Sequence, residues 1–476
     1  MMSTPATILL YNPVSGHGHM DSWLPLFARV LLELGYGVQV LTPGPEAFAA
    51  RMGEALRHPA LELLPWDARL ADAETLPARL TRWADRLCLA AARYARRTPE
   101  SLPAPGMAWS RRQKKRLLQA VLPWAQALLA PLPLAGWPGL RGRDAHALPD
   151  DTNAWFFDPE TLARHLEVAV AGASRPPDLV FNMVLDRYRL APRRWRAFAA
   201  RAPLPWAGIR FSPRPPRTPE AYYGLASLRG ICLLDEQRFQ DYQAAMPGTR
   251  FALLPDVTCA ELPAEEPPLV REIRRRARGR RIVFLGGAIR SQKNPARWVG
   301  LIRRADPSRW FFVMAGEICR SALDAEDALA LDSLLATPPE HVLIHTGYVE
   351  DEREFNALIA LSDIIFAVYK RFPYSSNMPG KAACFEKPLL AARGYLVGAR
   401  VERFGVGRTV PEDDEAAMLA ALEDLAATPV PAERFAACRE ALSQARLARV
   451  LEDFLRACLP PSLHRPSRQP SPPAAE

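Results

Sequence analysis

Thr7-Ile-Leu-Leu-Tyr-Asn-Pro-Val-Ser-Gly-His-Gly-His19 joins an apolar run to a turn-rich, glycine-bearing loop. A helical pattern follows from about Asp21 to Leu34 and stops at Gly35, a suitable C-terminal glycine. Val38 to Thr42 reads as a second strand. Strand, glycine loop, helix and strand make a βαβ unit, which requires a parallel sheet. Further strands in this half are expected at Asp178 to Met183, Trp206 to Phe211, Gly230 to Leu234 and Phe251 to Leu254.

A second α/β series follows, with strands expected at Arg281 to Leu285, Trp310 to Ala315, Val342 to His345, Ile364 to Val368 and Leu389 to Ala392. Between its last two strands lies Tyr374-Ser-Ser-Asn-Met-Pro-Gly-Lys-Ala-Ala-Cys-Phe-Glu-Lys-Pro-Leu-Leu-Ala391. Ser375, Ser376 and Asn377 are strong N-cap residues, and Pro379 suits a first helical position. Lys381 then falls in the first turn, where its charge opposes the helix dipole. A phosphate-bearing ligand at that helix start would reconcile the two. A capped helix with a solvated lysine is the competing reading.

With 476 residues the chain calls for two substantial domains. Hydrophobic content of 49% and charged content of 24% supply the core and surface of a globular protein. No basic region followed by a long apolar run marks the first ten residues, and the seven cysteines form no Cys-x-x-Cys pair. A reducing cytoplasmic setting is expected, without a zinc site or disulfide framework. The net charge of +9 raises nucleic acid as a partner, but the basic residues are spread along the chain and match no nucleic-acid module, so none is expected. Only six of the 61 cations are lysine, and Lys293, Lys370, Lys381 and Lys387 sit beside motif-like segments of the C-terminal half.

The first domain is expected over residues 1–262, with a basic helical insertion at about 66–145. In that insertion Arg111-Arg-Gln-Lys-Lys-Arg116 precedes an uncharged stretch from Leu117 to Leu140. Pro123, Pro131, Pro133 and Pro138 interrupt that stretch and argue against a membrane span. Docking on an anionic membrane surface is the functional reading of the insertion, and packing on the first domain is the structural one. A Glu-, Pro- and Arg-rich linker begins near Pro263, and the second domain runs over 263–430. A final helix is expected at about 432–457 within residues 431–458, followed by a disordered tail at 459–476.

In its order of elements the chain resembles GT-B glycosyltransferases: two Rossmann-like parallel α/β domains facing a cleft, with a C-terminal helix crossing back. The second half is similar to family-4-like members. The matching segments are Leu253-Leu-Pro-Asp-Val257, Leu285-Gly-Gly-Ala-Ile-Arg-Ser-Gln-Lys-Asn294, Ala315-Gly-Glu317, His345-Thr-Gly-Tyr-Val349, Leu358 to Asp363 and Lys387-Pro-Leu-Leu-Ala391. The resemblance covers about residues 250–430, and the first domain only by its opening.

That resemblance implies transfer of a sugar from a nucleotide-diphosphate donor to an acceptor hydroxyl on a glycan, lipid-linked or small-molecule acceptor. It implies no cofactor, and the chain holds no Asp-x-Asp metal motif. It places the donor on the second domain, with Gly286 and Gly287 close to the diphosphate and Lys293 neutralising it. The family arginine falls at Ala288, so Arg290 is expected to stand in. Gly316, Glu317, Tyr348 and Val349 complete the implied donor side, with Tyr348 and Val349 holding the base by backbone contacts. Ser375, Ser376, Asn377 and Lys381 belong to the phosphate end.

The family pattern of a Glu, seven residues and a Glu falls here on Pro373 and Lys381. A lysine cannot accept hydrogen bonds from ribose hydroxyls, so the donor geometry differs or the site is degenerate. In the first domain Gly16, His17 and Gly18 resemble the loop that faces the cleft. His19 is the candidate base there, with Asp186 as the second candidate. A retaining outcome is implied. Two other functions fit the same architecture: a non-catalytic nucleotide- or partner-binding protein, and a sugar-nucleotide epimerase.

Overall fold

The computed structural model describes residues 5–15, 19–68, 70, 157–186, 188, 192–216 and 220–463, with the side chains of 19–21 excepted. The expected insertion, apart from a few residues after 66, and the tail after 463 lie outside the described residues.

Among the described residues thirteen strands form two sheets, and their pairings are parallel. The first holds β1 (Thr7–Tyr11), β2 (Gly37–Leu41), β3 (Leu61–Leu63), β4 (Leu179–Asn182), β5 (Trp206–Arg210), β6 (Leu228–Leu233) and β7 (Phe251–Leu253), in the order β3-β2-β1-β4-β5-β6-β7. The second holds β8 (Arg281–Gly286), β9 (Trp310–Ala315), β10 (Val342–His345), β11 (Ile364–Ala367), β12 (Leu389–Ala392) and β13 (Gly407–Val410), in the order β10-β9-β8-β11-β12-β13. Each order reverses beside its first strand, between β1 and β4 and between β8 and β11. A ligand crevice lies outside the carboxyl ends of the strands at such a reversal.

The central strands are continuous apolar runs because helices cover both of their faces. Alternate side chains of β1 enter different cores. Ile8 and Leu10 pack with Trp23 and Phe27 of helix His19–Glu33, whereas Leu9 and Tyr11 pack with Leu162 and Trp195. In β8, Phe284 faces one core, and Val283 and Leu285 face the other.

The expected final helix is two helices, Ala432–Ala441 and Gln444–Cys458. Ser443 breaks the run because its hydroxyl accepts from Arg446 N at 3.1 Å and caps the second piece. The first piece stays with the second domain, where Phe435 and Cys438 join the core. The second crosses back, burying Leu447, Leu451, Phe454 and Leu455 in the core of the first domain. A Cβ on Gly230 would meet the Phe454 ring at 2.6 Å, so that crossing depends on a glycine in β6.

Candidate functional site

The loops leaving β8 and β9 interlock at the carboxyl edge of the second sheet. Gly287 has φ of +90°, and Gly316 has φ of +147° with its virtual Cβ only 2.1 Å from Gly287 O. No side chain fits at Gly316, so the two turns pack backbone to backbone. Ile289 N donates to Glu317 O at 2.8 Å and prolongs the pairing.

Beyond it, a 3₁₀ turn at Ser291–Lys293 ends at Asn294, whose left-handed φ of 58° precedes helix Pro295–Arg304. Asn294 is buried, and its Nδ2 donates to Val368 O at 3.2 Å and Glu412 O at 2.6 Å. Lys370 N donates to Gln292 O at 2.9 Å. The Lys370 ammonium donates to Asp324 at 2.8 Å and to buried Asp327 at 3.4 Å. Burial opposes the Lys370 charge, but these carboxylates outweigh it and hold its pKa above the usual lysine value.

Between the domains these loops enclose a pocket of about 290 Å³. The second domain contributes Ala288, Arg290, Gln292 and Lys293 from one loop, and Tyr369, Phe372 and Tyr374 to Asn377 from the loop after β11. Phe211 and Ser212 close it from the first domain, and Asp256 from the connecting segment. Lys293 Nζ donates to Tyr369 Oη at 2.9 Å and lies 4.2 Å from the centroid of that ring. Asp256 is only 3% exposed; it accepts from Ser375 Oγ at 2.5 Å and lies 3.8 Å from the Arg400 guanidinium. Arg400 donates to Ser375 Oγ at 2.6 Å, to Glu236 at 3.1 Å and to Leu234 O, tying the pocket wall to the first domain.

No protein-family model and no curated protein matches this sequence. Solved structures do match its shape over nearly the whole chain. The trehalose-6-phosphate phosphatase N-terminal domain of Candida albicans is 9% identical, with 96% of this chain and 98% of that one covered and a TM-score of 0.56. HepE of Anabaena, solved with UDP and glucose, is 11% identical, with 95% and 100% covered and a TM-score of 0.54. Sucrose-phosphate synthase of Thermosynechococcus elongatus is 12% identical, with 95% and 98% covered and a TM-score of 0.52. Two parallel-sheet domains across a cleft, with a terminal helix that recrosses it, complete the comparison. The fold is GT-B.

Within this GT-B frame, Arg290, Lys293, Ser375, Ser376 and Asn377 line the pocket, and Gly286, Gly287 and Gly316 shape the loops behind it. Glu317 and Tyr348 are exposed, Val349 packs against the core, and none of the three lines the pocket. Gly16, His17, Gly18 and the side chain of His19 lie outside the described residues.

Three of the expected groups are found with partners inside the protein or with weaker caps. Lys381 does not meet a phosphate at its helix start; it is 1% exposed and donates to Glu352 at 3.0 Å, Asn356 at 2.5 Å and Cys259 O at 3.2 Å. The anion that balances it is therefore the protein's own. Asp186 is already engaged: its two oxygens accept from Phe211 N at 2.6 Å and Ser212 N at 2.9 Å. It anchors the strand end that carries Phe211 and Ser212 to the pocket. The caps expected before helix Met378–Phe385 are also weaker than the residue types suggest. Asn377 makes no capping bond, Ser375 turns to Asp256, and Ser376 accepts from Met378 N at 3.4 Å.

Tyr369, Phe372, Phe211, Ser212 and Gln292 are pocket residues that the sequence did not single out. For Tyr369, its place one residue before Lys370 at a strand end was the available signal.

Proposed function

We propose that this protein is a glycosyltransferase that receives a nucleotide-diphosphate sugar in the pocket between its domains. One observation carries the reading: Lys293 lines that pocket with no carboxylate paired to it among the described residues. A half-buried, uncompensated ammonium at the carboxyl edge of a doubly wound sheet suits a diphosphate. Arg290 adds a second cation to the same wall. In this reading the sugar passes to an acceptor hydroxyl, and the two side chains stabilise the departing diphosphate without a metal. His19 is the proposed base. The second half's resemblance to family-4-like enzymes supports a retaining, hexosyl-type transfer, and the scattered cysteines support a cytoplasmic setting, with UDP-sugars as the first donors to test. The basic run Arg111–Arg116 supports docking on an anionic membrane surface and a lipid-linked or envelope-glycan acceptor. Among the described residues no helix is long and apolar enough to cross a membrane.

Binding without transfer is the second reading. It is favoured by the lysine at position 381, which stands where the resemblance calls for a ribose-binding carboxylate. Slow donor hydrolysis separates the two. Incubation with UDP-, GDP-, ADP- and CDP-sugars, with and without chelator, should release one nucleoside diphosphate regardless of metal. Tight nucleotide binding with no turnover for any sugar or acceptor mixture would establish the second reading instead.

A further inference from the structure

Three lysines stand around the carboxyl edge of the second sheet, and the structure treats them differently. Lys370 is neutralised by Asp324 and Asp327, and Lys381 by Glu352. Among the described residues Lys293 has only the phenol of Tyr369, at 2.9 Å, and the face of its ring. A carboxylate in that place would cancel the charge and compete with any incoming anion. A phenol oxygen accepts one hydrogen bond and leaves the charge intact, with two of the three ammonium donors still available.

The backbone also fixes where that phenol stands. Residues on both sides of Lys293 are tied to residues on both sides of Tyr369. Lys370 N donates to Gln292 O at 2.9 Å, and Asn294 Nδ2 donates to Val368 O at 3.2 Å. Tyr369 itself is 4% exposed and packs edge-on against Phe372, with centroids 5.4 Å apart. Two laced segments thus hold the phenol within reach of the Lys293 stem, and the hydrogen bond between them places the ammonium.

We propose that Tyr369 is a positioning residue for Lys293: its hydroxyl holds the ammonium at one point of the pocket wall, aimed at a diphosphate. The proposal rests on the donor-site reading given above. Its physical effect is preorganisation, since a flexible four-carbon stem otherwise loses its freedom only when the ligand arrives.

Tyr369→Phe removes one oxygen and keeps the ring, so both the packing against Phe372 and the cation–π contact persist. The test is a double-mutant cycle read by calorimetric titration with UDP, GDP, ADP and CDP. Tyr369→Phe should weaken the nucleotide that binds wild type by about tenfold, as expected for one hydrogen bond to a charged group. In a Lys293→Met background the same change should do nothing further. Equal losses in both backgrounds would assign Tyr369 a purely structural role and overturn the proposal. So would an unchanged affinity in Tyr369→Phe, while leaving the donor site standing. If wild type binds none of the four nucleotides, the donor-site reading itself fails and takes this assignment with it. Thermal melting of each variant identifies any that is unfolded. Should Tyr369→Phe unfold, 3-fluorotyrosine at 369, titrated at about pH 6 to keep its more acidic phenol protonated, provides the second probe: its poorer acceptor oxygen should weaken binding only when Lys293 is present, and no such dependence overturns the proposal.

Discussion

The ammonium of Lys381 lies 3.0 Å from Glu352 Oε1, and Glu352 in turn accepts from the hydroxyl of Ser22 in the first domain. A lysine placed against its helix dipole is thereby answered inside the protein, at a point where the two domains touch. Breaking a buried pair from one side leaves a charge without its partner. Lys381→Ala is therefore expected to lower stability by about 3 kcal/mol. Nucleotide affinity should change far less than in Lys293→Ala, because Lys381 does not line the pocket. Urea unfolding and titration of the two variants side by side check both statements. A Lys381→Ala protein of normal stability that no longer binds nucleotide would return Lys381 to the phosphate site.

Arg400 is the second tie across the cleft, 2% exposed and bonded to Glu236, Leu234 O and Ser375. Its replacement by alanine should cost about 3 kcal/mol of interdomain contact, since Glu236 and Asp256 lose their common cation. Scanning calorimetry should then resolve separate melting of the two domains where wild type melts more cooperatively. An unaltered transition would show that Arg400 does not couple them.

Gly316 tests the loop geometry. With φ at +147° and Gly287 O only 2.1 Å from its virtual Cβ, Gly316→Ala must push the two turns apart. Nucleotide affinity is expected to fall by more than about tenfold, with a loss of stability of roughly 1–3 kcal/mol. Binding at wild-type strength would mean that the turns behind Lys293 do not shape the site.

His165 gives the first domain a pH dependence. Its ring is buried, lies 4.1 Å from the Trp66 ring and meets Tyr11 Oη at 3.1 Å. Burial lowers its pKa below the ordinary histidine value of about 6.5 despite the opposing influence of Asp67. Between 6.5 and that lower value the unfolded chain takes up a proton that the folded chain does not, so stability falls as pH falls through this window. Melting temperature should decline on acidification from pH 7 toward 5, and less steeply in His165→Gln. Parallel pH profiles for the two proteins would remove His165 from the account.

Much of this architecture is legible in the sequence because doubly covered strands are unbroken apolar runs. Thr7–Tyr11, Trp310–Ala315 and Leu389–Ala392 were readable for that reason. Leu61–Leu63 and Gly407–Val410 were not: one has three residues, and the other carries Arg408 and Thr409 mid-strand. The pocket lysine was reached through the family resemblance of the glycine loop before it. What each polar side chain faces was not. Lys381 meets a glutamate 29 residues away, Asp186 meets an amide 25 residues on, and Lys293 meets a tyrosine 76 residues on. Residue type gives the charge of such a group, but only the packed chain says whether that charge is already spent.

In the proposed function Lys293 is the cation reserved for a ligand's diphosphate. Titration of wild type and Lys293→Ala with UDP, GDP, ADP and CDP, with and without chelator, tests it most directly. The account predicts that one nucleotide binds wild type whether or not chelator is present, and that its affinity falls by about a hundredfold in the variant, as loss of a charge-assisted contact implies. A nucleotide that binds both proteins equally well would contradict the account.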